Sequence, residues 1–311
     1  LIRCLKSLHG LSPVIYVDSG STDGSAQAAR ALGAEVVDLD LSIPFTAARA
    51  RNAGVQRLLA IAPDVQLIQF VDGDCELIQG WLDAALGFLA ANPDVAVVCG
   101  QRMERFPEAS IYNAMCHREW NTPVGEALAC GGDAVFRVAA FSAAGGYKDE
   151  LVAGEEPELC GRLRQAGHRI WRIDAPMTLH DAAIFRLGQF MTRNRRAGFG
   201  ITQVLSVSGR NIDPVAAQIQ RRAVVWGLAM PFALLVLAAL CWPLALVGLA
   251  IYPAQILRHG LRDTQRMGGG LPRRLQVAGL AMLAKFAEAR GVVEYVVKQA
   301  LGLRKNAILY K

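Results

Sequence analysis

Residues Ala223 to Leu257 form a run of 35 residues without one charged side chain, and that run limits what the rest of the chain can be. One membrane helix needs about 20 consecutive apolar residues and a buried core helix needs fewer, so the run is long for one span and short for two. Pro231, Trp242-Pro243 and Pro253 interrupt it, Arg221-Arg222 precede it, and Arg258, Arg262, Arg266, Arg273 and Arg274 follow it. Basic flanks stay on the cytoplasmic side of a membrane, so both ends read as cytoplasmic. The pattern predicts a tight hairpin that turns near Cys241-Trp242-Pro243, spanning or re-entrant. A single tilted span and a hydrophobic helix pair inside a soluble domain are the alternatives.

Charge divides the chain in the same place. Residues 1–180 carry 15 basic and 22 acidic groups, residues 181–222 carry 7 and 2, and residues 223–311 carry 11 and 3, which together give the net +6. At 53% hydrophobic and 19% charged the chain is not disordered. An acidic front would repel a phosphate backbone, so a nucleic-acid partner is excluded, whereas the basic rear suits the anionic cytoplasmic leaflet. Four zones result: an α/β domain over 1–180, an Arg-rich connecting region over 181–222, the hairpin over 223–257 and a basic, amphipathic segment over 258–311. In the second zone Arg193, Arg195 and Arg196 could bind a diphosphate or lipid headgroups. In the fourth, Leu275, Met282, Phe286, Val293 and Val297 make an apolar arc opposite Gln276, Glu288, Glu294 and Lys298, as in a helix lying in the headgroup plane or one packed on a globular domain. Seven scattered cysteines without a Cys-x-x-Cys pair indicate reduced thiols rather than a zinc site or a disulfide framework.

From Val14 to about Ile173 strands and helices alternate. Strands are expected at Val14–Val17, Glu35–Asp38, Gln66–Val71 and Val95–Cys99, and helices at Ala47–Ile61 and Ile78–Ala91. Such alternation argues an open, mostly parallel sheet with helices on both faces, a Rossmann-like α/β class in which ligands bind beyond the carboxyl ends of strands. Leu1 to Leu8 reads as an amphipathic helix, and an alternating domain places a strand ahead of it; that N-terminal strand is expected to be missing. Asp18 and Asp72-Gly73-Asp74 fall at strand ends. Gly73 would permit a sharp turn, and two carboxylates so placed can share a hard divalent cation that neutralises a diphosphate, although Asp and Gly are also ordinary turn residues.

Four segments occur in order: Val14-Ile15-Tyr16-Val17-Asp18-Ser19-Gly20-Ser21-Thr22-Asp23-Gly24-Ser25, Ala48-Arg49-Ala50-Arg51-Asn52-Ala53-Gly54, Phe70-Val71-Asp72-Gly73-Asp74, and Gly154-Glu155-Glu156-Pro157-Glu158-Leu159-Cys160-Gly161-Arg162-Leu163. In order and spacing they resemble the inverting family 2 glycosyltransferases. The resemblance implies a GT-A fold, a nucleotide-sugar donor and Mg²⁺ or Mn²⁺. It also implies that Asp18 recognises the donor's base, that Arg51 contacts base or diphosphate, and that Asp72 with Gly73 approaches the ribose. Asp74 would ligate the metal. His180 falls where many such enzymes place a further metal or diphosphate ligand, and a partly buried structural histidine is its alternative. Gly131-Gly132-Asp133 resembles the acceptor-side loop, or is a plain turn.

An inverting transfer needs a general base to take the acceptor's proton. Pro157 suits a first helical position, so Glu155 and Glu156 are expected at a helix N-terminus, where the dipole favours ionised carboxylates. Register with the family selects Glu156 as the base, with Glu155 second. The chain departs from the family at Ser19, where a second Asp is commoner, and at Glu155-Glu156, where Glu-Asp is usual. It lacks the Gln-x-x-Arg-Trp motif of processive synthases, which points to single addition.

Arg118-Glu119-Trp120-Asn121-Thr122-Pro123-Val124-Gly125-Glu126, the Glu155-Glu156 segment and the hydrophobic tail resemble a bacterial, membrane-associated branch linked to extracellular polysaccharide assembly. This resemblance implies an inner-membrane protein with its catalytic domain facing the cytoplasm and a lipid-linked glycan or saccharide as acceptor. Transfer to polyprenyl phosphate and a catalytically silent, membrane-anchored nucleotide-sugar binding protein are the competing readings.

Overall fold

The computed structural model describes residues 1–262 and 270–303. They divide into two units, one built from Leu1–Pro107 and Glu119–Ala183, the other from Glu108–Arg118 and the described residues from Ile184 to Leu303.

The first unit runs α1 (Ile2–Ser7), β1 (Ile15–Asp18), α2 (Ser25–Ala31), β2 (Glu35–Asp38), α3 (Ala47–Ile61), β3 (Leu67–Phe70), β4 (Cys75–Leu77), α4 (Trp81–Ala91) and β5 (Val95–Glu104). After α5 (Ile111–Trp120), which begins in the other unit, come β6 (Gly125–Glu126), β7 (Ala134–Arg137), α6 (Val138–Ala143), α7 (Glu155–Gln165) and β8 (Arg169–His180). A six-stranded sheet has the order β3-β7-β5-β8-β4, with β6 also on β8. The long β5–β8 ladder is parallel, and the shorter strands add to it antiparallel. The sheet agrees with the expected Rossmann-like α/β class, with its longest ladder parallel and antiparallel strands added at its sides. Val95 to Cys99 is buried throughout, as a strand covered on both faces requires. Trp81, Leu89, Phe136, Leu159, Leu163 and Ile170 pack with it into one core. Gly100 has no room for a side chain, because a Cβ there would lie 2.5 Å from both Ala175 O and the Trp81 ring.

β1 and β2 pair with each other, in parallel, as a separate sheet. Among the described residues β1 does not pair with β3, and the two line a cavity of about 500 Å³ together with Leu5, Val55 and Leu58. No strand precedes α1 among the described residues. The helix expected from Ile78 starts at Trp81, because Cys75–Leu77 is drawn into the sheet beside β8.

The second unit is helical: α8 (Leu187–Ser208), α9 (Pro214–Val224), a π turn (Val225–Ala229), α10 (Met230–Leu240), α11 (Trp242–Leu249), α12 (Ile251–Arg262) and α13 (Leu271–Ala300). Two helical stretches, Pro214–Leu240 and Trp242–Arg262, are long and apolar enough to cross a membrane. α13 packs along α8 through glycines: a Cβ on Gly198 or Gly291 would lie 2.1 Å from the other helix's backbone oxygens at Glu288 and Arg195. The α13 face so covered holds Val277, Met282, Val292 and Tyr295, while Phe286, Val293 and Val297 stay exposed. Glu288, expected on a polar outer face, is instead buried and paired with Lys285 at 2.7 Å, because the small-residue seam turns it inward. Arg195 is held 3.1 Å from Glu294 within the same packing.

Candidate active site

The site begins at the start of α3. Thr46 caps this helix by accepting from Arg49 N at 3.0 Å, and its hydroxyl donates to Asp149 O at 2.6 Å. One turn on, Asn52 donates to Tyr147 O at 2.7 Å and Asp149 Oδ1 at 2.6 Å, and accepts from Tyr147 N at 3.0 Å. These bonds fix the turn that carries Arg51. Its Nη2 lies 2.6 Å from Asp72 Oδ1, its Nη1 pairs with Glu155 Oε1, and its guanidinium lies over the Tyr147 ring at 5.7 Å.

Asp72, Gly73 and Asp74 occupy the turn between β3 and β4. Asp72 N donates to Asp133 Oδ1 at 2.9 Å, while Asp72 Oδ2 accepts from Arg102 Nη2 at 3.2 Å. Burial pushes the Asp72 carboxyl up, but the charges of Arg51 and Arg102 outweigh it and hold it below its usual range. Gly73 is not in the left-handed region, and an added Cβ would meet only Leu1 Cδ1 at 3.8 Å, so the turn does not depend on glycine there. Asp74 Oδ2 lies 3.3 Å from His180 Nε2 at the end of β8. Burial raises the Asp74 carboxyl, the His180 hydrogen bond and charge lower it, and the lowering wins. The edge of Trp120 packs on His180 at 4.6 Å, with Glu104 Oε2 3.9 Å from His180 Nδ1.

α7 brings the two glutamates. Its N-cap is Gly154 at φ 83°, a left-handed conformation that glycine adopts without strain. The helix begins at Glu155, two residues earlier than Pro157 suggested; Pro157 sits within the first turn, where a missing N–H costs nothing. Glu155, Glu156 and Glu158 all fall in that turn. Glu158 is fully buried, gripped by Arg162 Nη2 at 2.7 Å and Lys148 Nζ at 3.1 Å. Arg162 also donates to Ala144 O and, at 2.7 Å, to Gly146 O, so α7 is tied to the loop ahead of it.

Glu156 is 7% exposed. Its Oε1 accepts from Cys130 N at 2.5 Å and from Cys160 Sγ at 3.1 Å. Burial raises its pKa above the ordinary carboxylate range, and the Cys130 and Cys160 hydrogen bonds offset this only in part. The two thiols lie 3.6 Å apart, are free, and are themselves pushed up by burial, Cys160 to about 11.

Gly131 has φ 85° with open space around it, whereas a Cβ on Gly132 would lie 2.7 Å from Asp72 Oδ2 and 3.2 Å from Arg51 Nη2. Asp133, assigned by the resemblance to the acceptor side, is fully buried and cannot touch a ligand. It accepts from Asp72 N and from Thr178 Oγ1 at 2.8 Å, and Arg102 Nε lies 3.6 Å away. It is a brace under the Asp72 turn, and burial with the neighbouring Asp72 charge raises its pKa. Asp18, at the end of β1, accepts from Gly20 N and Ser21 N at 2.9 Å and from Tyr16 Oη at 3.1 Å. Burial raises its carboxyl, and those hydrogen bonds bring it below the ordinary value.

The arrangement thus joins Arg51, Asp72, Glu155 and the Gly131-Gly132 loop in direct contact, sets Asp74 against His180, and places Glu156 behind Cys130. Arg102, Glu104, Trp120 and Tyr147 were not singled out from sequence. An arginine ending the buried apolar run of β5 was the available signal for the first, and Arg102 now lies over the Trp120 ring at 5.0 Å.

A mixed α/β sheet with acidic and basic side chains converging at strand ends agrees with the GT-A fold that the four sequence motifs imply. The fold itself resembles the solved structure of a mannosyltransferase from Pyrobaculum calidifontis in complex with GDP-Man and Mn²⁺, at a TM-score of 0.51 and 20% identity over 93% of this chain and 78% of that one. Residues 1–143 match the model of Glycosyl transferase family 2. The succinoglycan biosynthesis protein ExoA of Rhizobium meliloti is 28% identical over 78% of this chain and 76% of its own length. A pre-mycofactocin glycosyltransferase of Mycobacterium tuberculosis is 30% identical over 58% of this chain, which spans only 40% of that protein. Over residues 1–143 the chain is thus similar to Glycosyl transferase family 2, and the relatives it resembles over longer stretches include proteins named as glycosyltransferases or as acting in polysaccharide biosynthesis.

Proposed function

We propose that the chain adds a single sugar, with inversion, to a lipid-linked glycan during cell-surface or extracellular polysaccharide assembly, working at the cytoplasmic face of the inner membrane. The observation that carries this reading is the contact of Arg51 with both Asp72 and Glu155, which puts donor-side and acceptor-side groups on one guanidinium. The basic flanks of two apolar helices, and the likeness to a succinoglycan biosynthesis protein, support the membrane and the polysaccharide.

Asp18 and Tyr16 read the donor's base, and Asp72 with Gly73 receives the ribose. Asp74 and His180 fit a Mg²⁺ or Mn²⁺ ion: an oxygen and a nitrogen donor lie 3.3 Å apart, and the Asp74 side chain is 63% exposed, leaving room for further ligands. The Cys75 thiol lies beside them, but Mg²⁺ and Mn²⁺ favour oxygen donors over sulfur. When bound, the ion neutralises the departing diphosphate. Glu156 takes the acceptor's proton as the new glycosidic bond forms and the bond from the anomeric carbon to the diphosphate breaks. A carboxylate raised by burial is a better base near neutral pH than an ordinary one. Glu155, tied to Arg51, is the second choice.

The test incubates the full-length chain in membranes with UDP-, GDP- and dTDP-sugars, with and without Mn²⁺, and follows label into lipid extracts. Glu156→Gln should abolish transfer and leave donor binding intact. Normal turnover in that variant overturns the assignment of the base, and donor hydrolysis without any lipid product overturns the acceptor.

A further inference from the structure

We propose that the hairpin made by α10 and the continuous α11–α12 helix is monotopic: it enters the bilayer from the side that carries its arginines and ends at Cys241 within the hydrocarbon, short of the opposite aqueous phase. The inference rests on the membrane reading above and adds the depth and the topology.

The two arms run antiparallel and touch along their length. Tyr252 Oη donates to Trp226 O at 2.9 Å near the open end. Closer to the apex, Gly248 faces Leu234, whose Cδ2 would lie 2.7 Å from a Cβ on that glycine. The arms meet at the single residue Cys241. At the open end the arms also pack on α13, where Gly227 lies against Lys285 O and Ala289, and Tyr252 stacks on Phe286 at 5.9 Å. Toward the apex the side chains outside the seam are bare: Leu240 is 80% exposed, Val247 71%, Leu235 70% and Phe232 68%. Each such side chain gains roughly 1.5–3 kcal/mol on leaving water, and hydrocarbon is the environment that covers every outer side of the apical half at once.

The open end is basic on both arms, with Arg221 and Arg222 before one and Arg258 and Arg262 after the other. Guanidinium groups hold this level at the headgroups. From Arg222 to Leu240 a helix reaches about 27 Å, and from Trp242 to Arg258 about 24 Å; the π turn at Val225–Ala229 shortens the first arm further. A hydrocarbon core is about 30 Å thick, and about 40–45 Å with its headgroups. The whole helices Pro214–Leu240 and Trp242–Arg262 are long enough to cross, but measured from the arginines neither arm carries the apex through the far headgroup layer while those arginines stay at the near one.

The apex is also built for lipid. Ala238 to Leu246 contains no charged or amide side chain, and a spanning hairpin would have to present Leu240, Leu244 and Leu246 to water. The turn exposes little backbone: Cys241 N donates to Leu237 O at 2.7 Å, Cys241 O accepts from Ala245 N at 3.2 Å, and Pro243 has no N–H.

Cys241 is its own reporter, because the other six cysteines are buried. Full-length chain in sealed right-side-out and inverted vesicles is treated with a charged, membrane-impermeant maleimide. Gln218→Cys in a Cys241→Ser background marks the arginine side and should label from one face only. Cys241 should label from neither face, with at least a tenfold gain once detergent removes the lipid. Leu240→Cys in the Cys241→Ser background repeats the readout at an outward-facing side chain. Labelling at either apex position from the face opposite Gln218→Cys overturns the proposal in favour of a spanning hairpin, and labelling from the same face overturns it by placing the apex outside the bilayer. Failure of the membrane reading is seen separately, as release of the chain by alkaline carbonate.

Discussion

Two neighbouring glycines in the loop ahead of β7 have different reasons to be glycine, and exchanging each for alanine separates them. Gly131 needs its backbone: at φ 85° an L residue is strained by roughly 1–2 kcal/mol, yet nothing lies within 4 Å of the new methyl. Gly132 needs its space: the methyl would sit 2.7 Å from Asp72 Oδ2 and 3.3 Å from its Cγ. Ordinary contact requires about 3.5 Å, so Asp72 has to retreat by about 0.5–1 Å from its 2.6 Å pairing with Arg51. At an effective dielectric of about 20, stretching an ion pair by that much loses on the order of 1 kcal/mol. Misplacing a substrate-positioning group by about 1 Å can cost up to about 100-fold in rate. Gly132→Ala is therefore expected to lower kcat/KM for the nucleotide-sugar by about 10- to 100-fold, with a melting temperature lower by a few degrees. Gly131→Ala should lower the melting temperature by a similar few degrees and leave kcat/KM within about twofold. Steady-state donor titrations and thermal unfolding of the full chain in detergent decide it. Equal kinetic losses in both variants would refute the claim that crowding against Asp72, rather than loop geometry, is what Gly132 prevents.

Substitutions at three further residues probe the same site. Cys160→Ala removes a hydrogen bond that favours the ionised form of Glu156, so its pKa rises and the acid limb of the kcat–pH profile should move to higher pH; Cys160→Ser, which keeps a donor, should leave the limb in place. Asp133→Ala leaves Asp72 N and Thr178 Oγ1 without their buried partner, at about 1–3 kcal/mol for each, and should lower the melting temperature more than any exposed substitution. His180→Ala should raise the Mn²⁺ concentration needed for half-maximal activity by about tenfold or more, read by metal titration at saturating donor.

How far the sequence could be read depended on whether a residue's role is local. Helix α3 was legible to the residue, because apolar spacing and the Thr46 cap are neighbours in the chain. The convergence of Arg51, Asp72 and Glu155 was legible only through the order of four motifs, since 104 residues separate Arg51 from Glu155. Three-residue β4 gave no periodic signal and exists because β8 offers it an edge. Asp133 shows the limit most plainly: nothing in Gly131-Gly132-Asp133 says whether its carboxylate points to solvent or inward, and the answer came from Thr178, 45 residues away. The same holds for Glu288, where an amphipathic pattern could not foresee that Gly198 and Gly291 would bring two backbones together and close over it.

One consequence of the shared guanidinium lies in the order of events during turnover. Arg51 holds Asp72 and Glu155 at once, and it is only 15% exposed, so it has few other partners to choose from. With Arg51 and Glu155 in the roles proposed above, a diphosphate arriving in the cleft would bring a competing negative charge, and whatever share of Arg51 it drew would be taken from Asp72 and Glu155. The helix that carries Glu155 carries Glu156 one residue later, so the acceptor half of the cleft would receive a report of donor occupancy through a single side chain. By linkage the report would run both ways: an acceptor that disturbed Glu155 would change donor affinity by the same factor.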